Sequence, residues 1–195
     1  MNRTNRSNLL EIALLSTAAA VVVGSFIYLR RRKPSSKRRV TFRHPIELPA
    51  GPNMVSLPET KAQVLGLLFA ASWCPDCTDV VPAVGKCVAQ VDRSFLEVFY
   101  VSSDTTDAEM KAFQPDGIQG IPFHKADQRQ SLKQHFRTCA AKEMEGLGIT
   151  ERKNGIPTLI LIETATGRVI TESAHDDVMK DKSSEQMVAQ WKSLL

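Results

Sequence analysis

The apolar run VLGLLFAA at residues 64–71 passes straight into Ser72-Trp73-Cys74-Pro75-Asp76-Cys77, and the reading of that junction decides the fold. A continuous apolar run of this length, without alternation, reads as a strand buried on both faces of a sheet. Beyond the thiols, Val80, Val84, Cys87, Val88 and Val91 recur on one face at helical spacing, so residues 75–91 read as an amphipathic helix. Pro82 is expected to kink that helix without ending it, because the apolar register continues past it. Both thiols therefore stand where a buried strand ends and a helix begins. The unpaired N–H groups and the dipole at that helix end favour a thiolate and make Cys74 the nucleophile. Pro75 suits the first helical turn, where its missing N–H costs nothing. Cys77 follows three residues later, one helical turn on, within reach of a bridge. The chemistry is thiol–disulfide exchange: Cys74 attacks a disulfide, a mixed disulfide forms, and Cys77 resolves it. The competing use of a C-x-x-C pair, a structural zinc, needs two further ligands. No second C-x-x-C and no H-x-x-x-H is present, and His44, His124, His135 and His175 are scattered, each reading as a surface or loop residue. Neither a metal nor a cofactor is expected.

Working outward from the junction, residues 95–102 (FLEVFYVS) read as a second buried strand. Thr106 with Glu109 has the spacing of a capping box, opening a short helix to about Phe113. Residues 131–148 read as an amphipathic helix with Leu132, Phe136, Cys139 and Leu147 in register. Residues 158–163 (TLILIE) and 168–172 (RVITE) flank the turn Thr164-Ala165-Thr166-Gly167, a hairpin signal. Met187, Val188 and Trp191 give a last helix its apolar face. The order is β-α-β-α, an irregular helical stretch, then β-β-α, an α/β sandwich. Cys87 and Cys139 fall on apolar helix faces and read as core thiols in preference to regulatory ones. Lys133, Arg137, Lys142, Glu143 and Glu145 read as a solvated face first and a partner-docking surface second.

Upstream, the 195-residue chain divides sharply by charge. Residues 1–43 carry +9, with Glu11 their single acid, whereas residues 44–195 carry −5. A mildly acidic folded part argues against a nucleic-acid partner, which needs a basic face. Residues 9–29, opening at Leu9 and closing at Leu29, are nearly unbroken apolar sequence, and as a helix they would span roughly 31 Å, matching a bilayer core. Arg30, Arg31, Arg32, Lys33, Lys37, Arg38 and Arg39 follow as a stop-transfer block. A cleaved leader is the alternative, given Ala18-Ala19-Ala20, but its apolar region would be shorter than this one. The excess of positive charge after the helix places the C-terminal side in the cytosol, or on the equivalent side of an organelle membrane. Residues 1–8 are then a flank, 9–29 a transmembrane anchor and 30–54 a basic, proline-punctuated linker. Residues 46–55 of that linker are candidates for an edge strand or hairpin, and 55–195 form the folded domain.

The run W-C-P-D-C after a buried strand, with Gly155-Ile156-Pro157-Thr158 before the next one, resembles the thioredoxin superfamily. Val101-Ser102-Ser103-Asp104 is similar to the "VS-x-D" segment of its tryparedoxin and nucleoredoxin branch, and Ile121-Pro122-Phe123 is a weaker echo of the same branch. The resemblance covers about residues 55–180. It implies a thioredoxin-like sandwich, a central mixed sheet flanked by helices. It also implies Cys74 as attacking and Cys77 as resolving cysteine, with Trp73 shielding the site and offering partners a flat surface. Pro157 would be a cis-proline beside the disulfide, and Ile156 would offer backbone hydrogen bonds to a substrate strand. Without that resemblance Pro157 reads as an ordinary trans proline opening a strand. Two departures stand out. Asp76 replaces a second proline, a carboxylate that disfavours a neighbouring thiolate yet is itself favoured in a first helical turn. Leu68 occupies the place, six residues before the first cysteine, of the buried carboxylate of thioredoxins, so protons must reach and leave Cys77 through water or another group. The expected function is a membrane-anchored thiol–disulfide oxidoreductase that reduces protein or glutathione-type disulfides and is recharged by a reductase or a low-molecular-weight thiol. The alternative is a redox-sensing adaptor that binds a partner without turnover. A lumenal oxidase would need the opposite topology.

Overall fold

A strand with no polar face must be covered on both sides. In the computed structural model, which describes residues 40–43, 46–47, 54–180 and 182–195, helices supply that cover. A small antiparallel pair, β1 (Ile46–Glu47) and β2 (Met54–Val55), comes first. There follow β3 (Val64–Ala70), α1 (Cys77–Gln90), β4 (Leu96–Ser102), α2 (Asp107–Phe113), β5 (Gln119–Gly120) and α3 (Ala126–Phe136). A 3-10 turn at Ala141–Glu143 leads to β6 (Thr158–Glu163), β7 (Val169–Thr171), α4 (Ala174–Met179) and α5 (Ser184–Lys192). One mixed sheet has the order β5-β4-β3-β6-β7: β3, β4 and β5 run parallel, while β6 pairs antiparallel with both β3 and β7. The α/β sandwich with a central mixed sheet is therefore observed.

All seven residues of β3 are buried, and alternation divides them between two cores. Val64, Leu68 and Ala70 join Val80, Val81 and Val84 of α1 and Met187 and Trp191 of α5. Leu65, Leu67 and Phe69 meet Leu132 and Phe136 of α3. Burying one such side chain stabilises by about 1.5–3 kcal/mol, so this strand is the mechanical centre of the molecule. Gly66 interrupts the apolar run because β4 leaves no room there: a Cβ would lie 2.8 Å from Val98 Cγ2. In α1 the apolar face is buried as the spacing predicts, and the helix continues through an exposed Pro82. It begins at Cys77, however, so Pro75 belongs to the turn before the helix and not to its first turn. The capping box of α2 is present, Thr106 accepting from the Glu109 N–H and Glu109 from that of Thr106.

The helix expected over residues 131–148 is overturned. Helix α3 starts earlier and stops at Phe136, because Arg137 turns into the left-handed region (φ 48°). The chain then runs alongside the approach to β6: Thr138 bridges Asn154 in parallel, and the Lys153 N–H donates to Arg137 O at 2.8 Å. Cys139 thus lies on no helix; it packs with Leu147 and Ile149 in a small buried cluster beneath this segment. Lys133, expected on a solvated face, is buried and ion-paired with Glu143 at 2.5 Å. His135 is not a surface residue either, and His175 is half-buried on a short helix, α4. His135 is buried with its ring edge-on to Phe136, and His175 Nδ1 accepts from the Leu159 N–H at 3.3 Å.

The predicted turn closes the β6–β7 hairpin, with Gly167 at φ +78°. Helix α4 is an element the apolar pattern does not announce. Its Asp177 accepts from Trp191 Nε1 at 3.2 Å and so fastens α5, whose Trp191 is fully buried. At the other end, the Arg43 N–H donates to Leu57 O, the Glu59 N–H donates to Thr41 O, and Val40 and Phe42 pack against the α3-side core. Packing thus reaches back into the proline-punctuated segment. The apolar run of residues 9–29 and its basic flank lie outside the described residues, and among the described residues no helix is long and apolar enough to cross a membrane.

Candidate active site

Strand β3 ends beneath the sheet's rim, and a pair of tight turns carries the chain from it into α1. The Cys74 N–H donates to Ala71 O at 3.2 Å, the Cys77 N–H to Cys74 O at 3.1 Å, and the Thr78 N–H to Pro75 O at 3.1 Å. These successive bonds wind residues 74–77 into one turn that feeds the helix and keep both sulfurs on its inner side. Cys74 is 6 % exposed and Cys77 wholly buried, and both are free thiols. Pro75 and Asp76 face solvent on the outer side of the turn.

A second loop meets this turn from across the sheet. The Ile156–Pro157 peptide bond is cis, and the Cys74 thiol donates to Ile156 O across 3.6 Å. The Ile156 carbonyl is therefore engaged with the sulfur itself. Thr158 Oγ1 donates to Gly155 O at 2.8 Å and holds the loop in shape as β6 begins.

The third component comes from the end of β4, and here the Ser102-Ser103-Asp104 segment acquires a structural role. Asp104 is buried yet accepts four hydrogen bonds. Oδ1 takes the Ser72 N–H at 2.7 Å and the Ser72 hydroxyl at 2.8 Å; Oδ2 takes the Ser102 hydroxyl at 2.7 Å and the Tyr100 hydroxyl at 3.2 Å. A buried carboxylate is tolerable only when its oxygens are so provided for. Through Ser72 this clamp fixes the loop two residues before Cys74. Trp73 is anchored beside it, its Nε1 donating to Ser103 O at 3.1 Å. The Trp73 ring is 36 % exposed, and the Lys142 ammonium sits 3.3 Å from its centroid. Glu143, next in the chain, accepts from the Ser103 hydroxyl at 2.8 Å and from Lys133. The segment after α3 is thus a wall of the site. A cavity of about 290 Å³ lies behind that wall, lined by Ser102, Ser103, Asp104, Arg129, Lys133 and Glu143 among others.

Electrostatically the two thiols differ. Burial first, and then the hydrogen bond with Cys74, push the Cys77 thiol well above the ordinary thiol range, so it holds its proton at neutral pH. Burial alone pushes Cys87 up to about 11. Among the described residues no group of three or more His, Cys, Asp or Glu side chains is placed to hold a metal ion.

The structure brings Trp73, Cys74, Pro75 and Cys77 from one loop together with Ile156 and Pro157 from the other. Sequence reasoning missed Tyr100, Asp104 and Lys142 as parts of the site. Asp104 had a readable signal, a serine and an aspartate two apart at a strand end. Lys142 had none, because its contact with Trp73 joins residues far apart in the chain.

Comparison with known proteins agrees with this architecture. The family model described as Thioredoxin-like matches residues 62–169. The tryparedoxin of Trypanosoma brucei brucei is 29 % identical over 130 residues, spanning 65 % of this chain and 79 % of the relative. The crystal structure of native tryparedoxin I from Crithidia fasciculata is 25 % identical, with a TM-score of 0.50 over 64 % of this chain and 78 % of that one. Tryparedoxin II from C. fasciculata is likewise 25 % identical, with a TM-score of 0.46 over 61 % and 71 %.

Proposed function

The chain belongs to the thioredoxin-like family, and from that membership we propose that it is a thiol–disulfide oxidoreductase working as a reductase through Cys74 and Cys77. The observation that carries this reading is the pairing of two free thiols in one turn at the head of α1, Cys74 with a trace of exposed surface and Cys77 with none. Cys74 attacks the substrate disulfide and forms the mixed disulfide. Cys77 then attacks Cys74 Sγ, the substrate leaves as a thiol, and the pair is left oxidised. Trp73 offers the flat surface against which a substrate rests, and Pro75 shapes the turn. The backbone of Ile156, with Pro157 behind it, lies along the approach to Cys74. Substrates are disulfides of proteins or of glutathione-type small molecules, and a reductase or low-molecular-weight thiol returns the electrons. We place the domain on a membrane through residues 9–29, facing the cytosol, on the strength of the apolar run and the basic block that follows it.

The test is a turnover assay with the full chain in sealed membrane vesicles, insulin or glutathione disulfide being supplied on the cytosolic face together with a low-molecular-weight thiol in excess, and rates being compared with the uncatalysed background. Wild type should turn over many times and stay with the membrane after an alkaline wash, and Cys77→Ser should accumulate a mixed disulfide on Cys74. A wild type that never turns over, while Cys74→Ser still retains its partner, would establish an adaptor instead.

A further inference from the structure

Resolution of the mixed disulfide requires Cys77 to lose a proton in a place water does not reach. The argument rests on the redox reading above. Cys77 is fully buried and held protonated by its surroundings, so an acceptor must lie within the protein. On the face of β3 that shares a core with the thiols stand Val64, Leu68 and Ala70, none of which can take a proton. The register partner of Leu68 on β4 is Tyr100, and paired residues on neighbouring strands share a face. Leu68, Tyr100, Cys74 and Cys77 belong to one buried cluster. Tyr100 has no exposed surface, yet its hydroxyl is provided for, donating to Asp104 Oδ2. Beyond burial and the charge of Asp104, the charge of Cys77 also acts to raise the Tyr100 hydroxyl above the ordinary phenol range, so the two groups feel one another. A phenol held that high keeps its proton at rest.

We propose that Tyr100 and Asp104 form the proton path of the resolving cysteine, standing in for the carboxylate that position 68 lacks. As Cys77 Sγ attacks Cys74 Sγ, the Cys77 proton moves to Tyr100 Oη while the Tyr100 proton moves to Asp104 Oδ2. The electron pair of the former S–H bond forms the Cys74–Cys77 bond. The bond between Cys74 and the substrate sulfur breaks, and the substrate leaves as a thiolate that solvent protonates. Two cysteines are oxidised and one substrate disulfide is reduced. When an external thiol reduces the pair again, the Asp104 proton returns to Cys77 along the same path. Asp104 serves at the same time as the clamp on Ser72, which couples the proton acceptor to the loop that carries the nucleophile.

Tyr100→Phe separates the path from the clamp, because it removes one hydroxyl and leaves Asp104 its bonds from Ser72 and Ser102. The full chain is mixed with a chromogenic aromatic disulfide in stopped flow: the first thiol released reports attack by Cys74, the second reports resolution by Cys77. In Tyr100→Phe the first release should be unchanged and the second slowed by about tenfold or more, rising with pH over a wider range than in wild type. In wild type itself, heavy water should slow the second release and spare the first. An unchanged second release, equal slowing of both releases, or a second release in wild type that heavy water leaves unchanged each overturns the proton path while leaving the oxidoreductase intact. Absence of any thiol release in wild type would instead overturn the redox reading, and the path with it.

Discussion

Gly66 shows at the scale of one residue how tightly the centre of the sheet is set. The Cβ that an alanine would add lies 2.8 Å from Val98 Cγ2, inside the distance real Cβ atoms keep, and Gly66 sits on the central strand, paired with Val98 of β4 on one side and Leu161 of β6 on the other. Gly66→Ala should therefore lower stability by about 1–3 kcal/mol in urea unfolding, the usual range for overpacking. Adding Val98→Ala should recover part of that loss; a neutral single variant would show the strands free to separate. The residues that could be read directly from the chain were those whose chemistry is local. Two cysteines three apart at a strand–helix junction need no distant information. Lys133 and Lys142 did, because one is buried against Glu143 and the other laid over Trp73 only once the segment after α3 has folded back.

Among the elements, α4 and α5 illustrate a joint made by one carboxylate. Burial pushes Asp177 up, but hydrogen bonds from Trp191, Gln190 and Lys180 outweigh it and hold its carboxyl below the ordinary value of 3.8. A carboxyl with a depressed folded value contributes stability above its unfolded value and loses it as pH falls through the folded one. Asp177→Asn should cost about 1–3 kcal/mol at neutral pH, measured by urea unfolding. That difference should shrink as pH drops below 3.8, where wild type loses the same contribution. A difference constant down to pH 2 would mean that the charge on Asp177 does nothing for the joint. Elements with long apolar periodicity or cap chemistry, namely β3, α1, β4 and α2, were legible. Helix α4 was not: it has six residues and no side-chain cap, so nothing local marks it. The end of α3 was missed for a different reason. Leu132, Phe136, Cys139 and Leu147 keep a helical period, yet Arg137 breaks the helix to reach the strand-like contact of Thr138 with Asn154.

For the whole molecule, the two cores on either face of β3 make a rigid platform, and the reactive turn is held at its rim by three separate loops. Ser72 is tied to Asp104 at the end of β4, Cys74 to Ile156 before β6, and Trp73 lies between Ser103 and Lys142. In the function proposed above, redox chemistry is confined to one pair of sulfurs, Cys74 and Cys77. Cys87 is on the buried face of α1 with its thiol pushed up to about 11, and Cys139 is sealed in its own cluster. The account is tested most directly by equilibrating the full chain with glutathione mixtures of graded potential, quenching with an alkylating agent and mapping each cysteine by mass. One two-electron transition is expected, in which Cys74 and Cys77 together lose their reactivity to the alkylating agent and become linked to each other, while Cys87 and Cys139 remain thiols throughout. A transition that involves either of those two core cysteines, or the absence of a Cys74–Cys77 linkage at any potential, would contradict it.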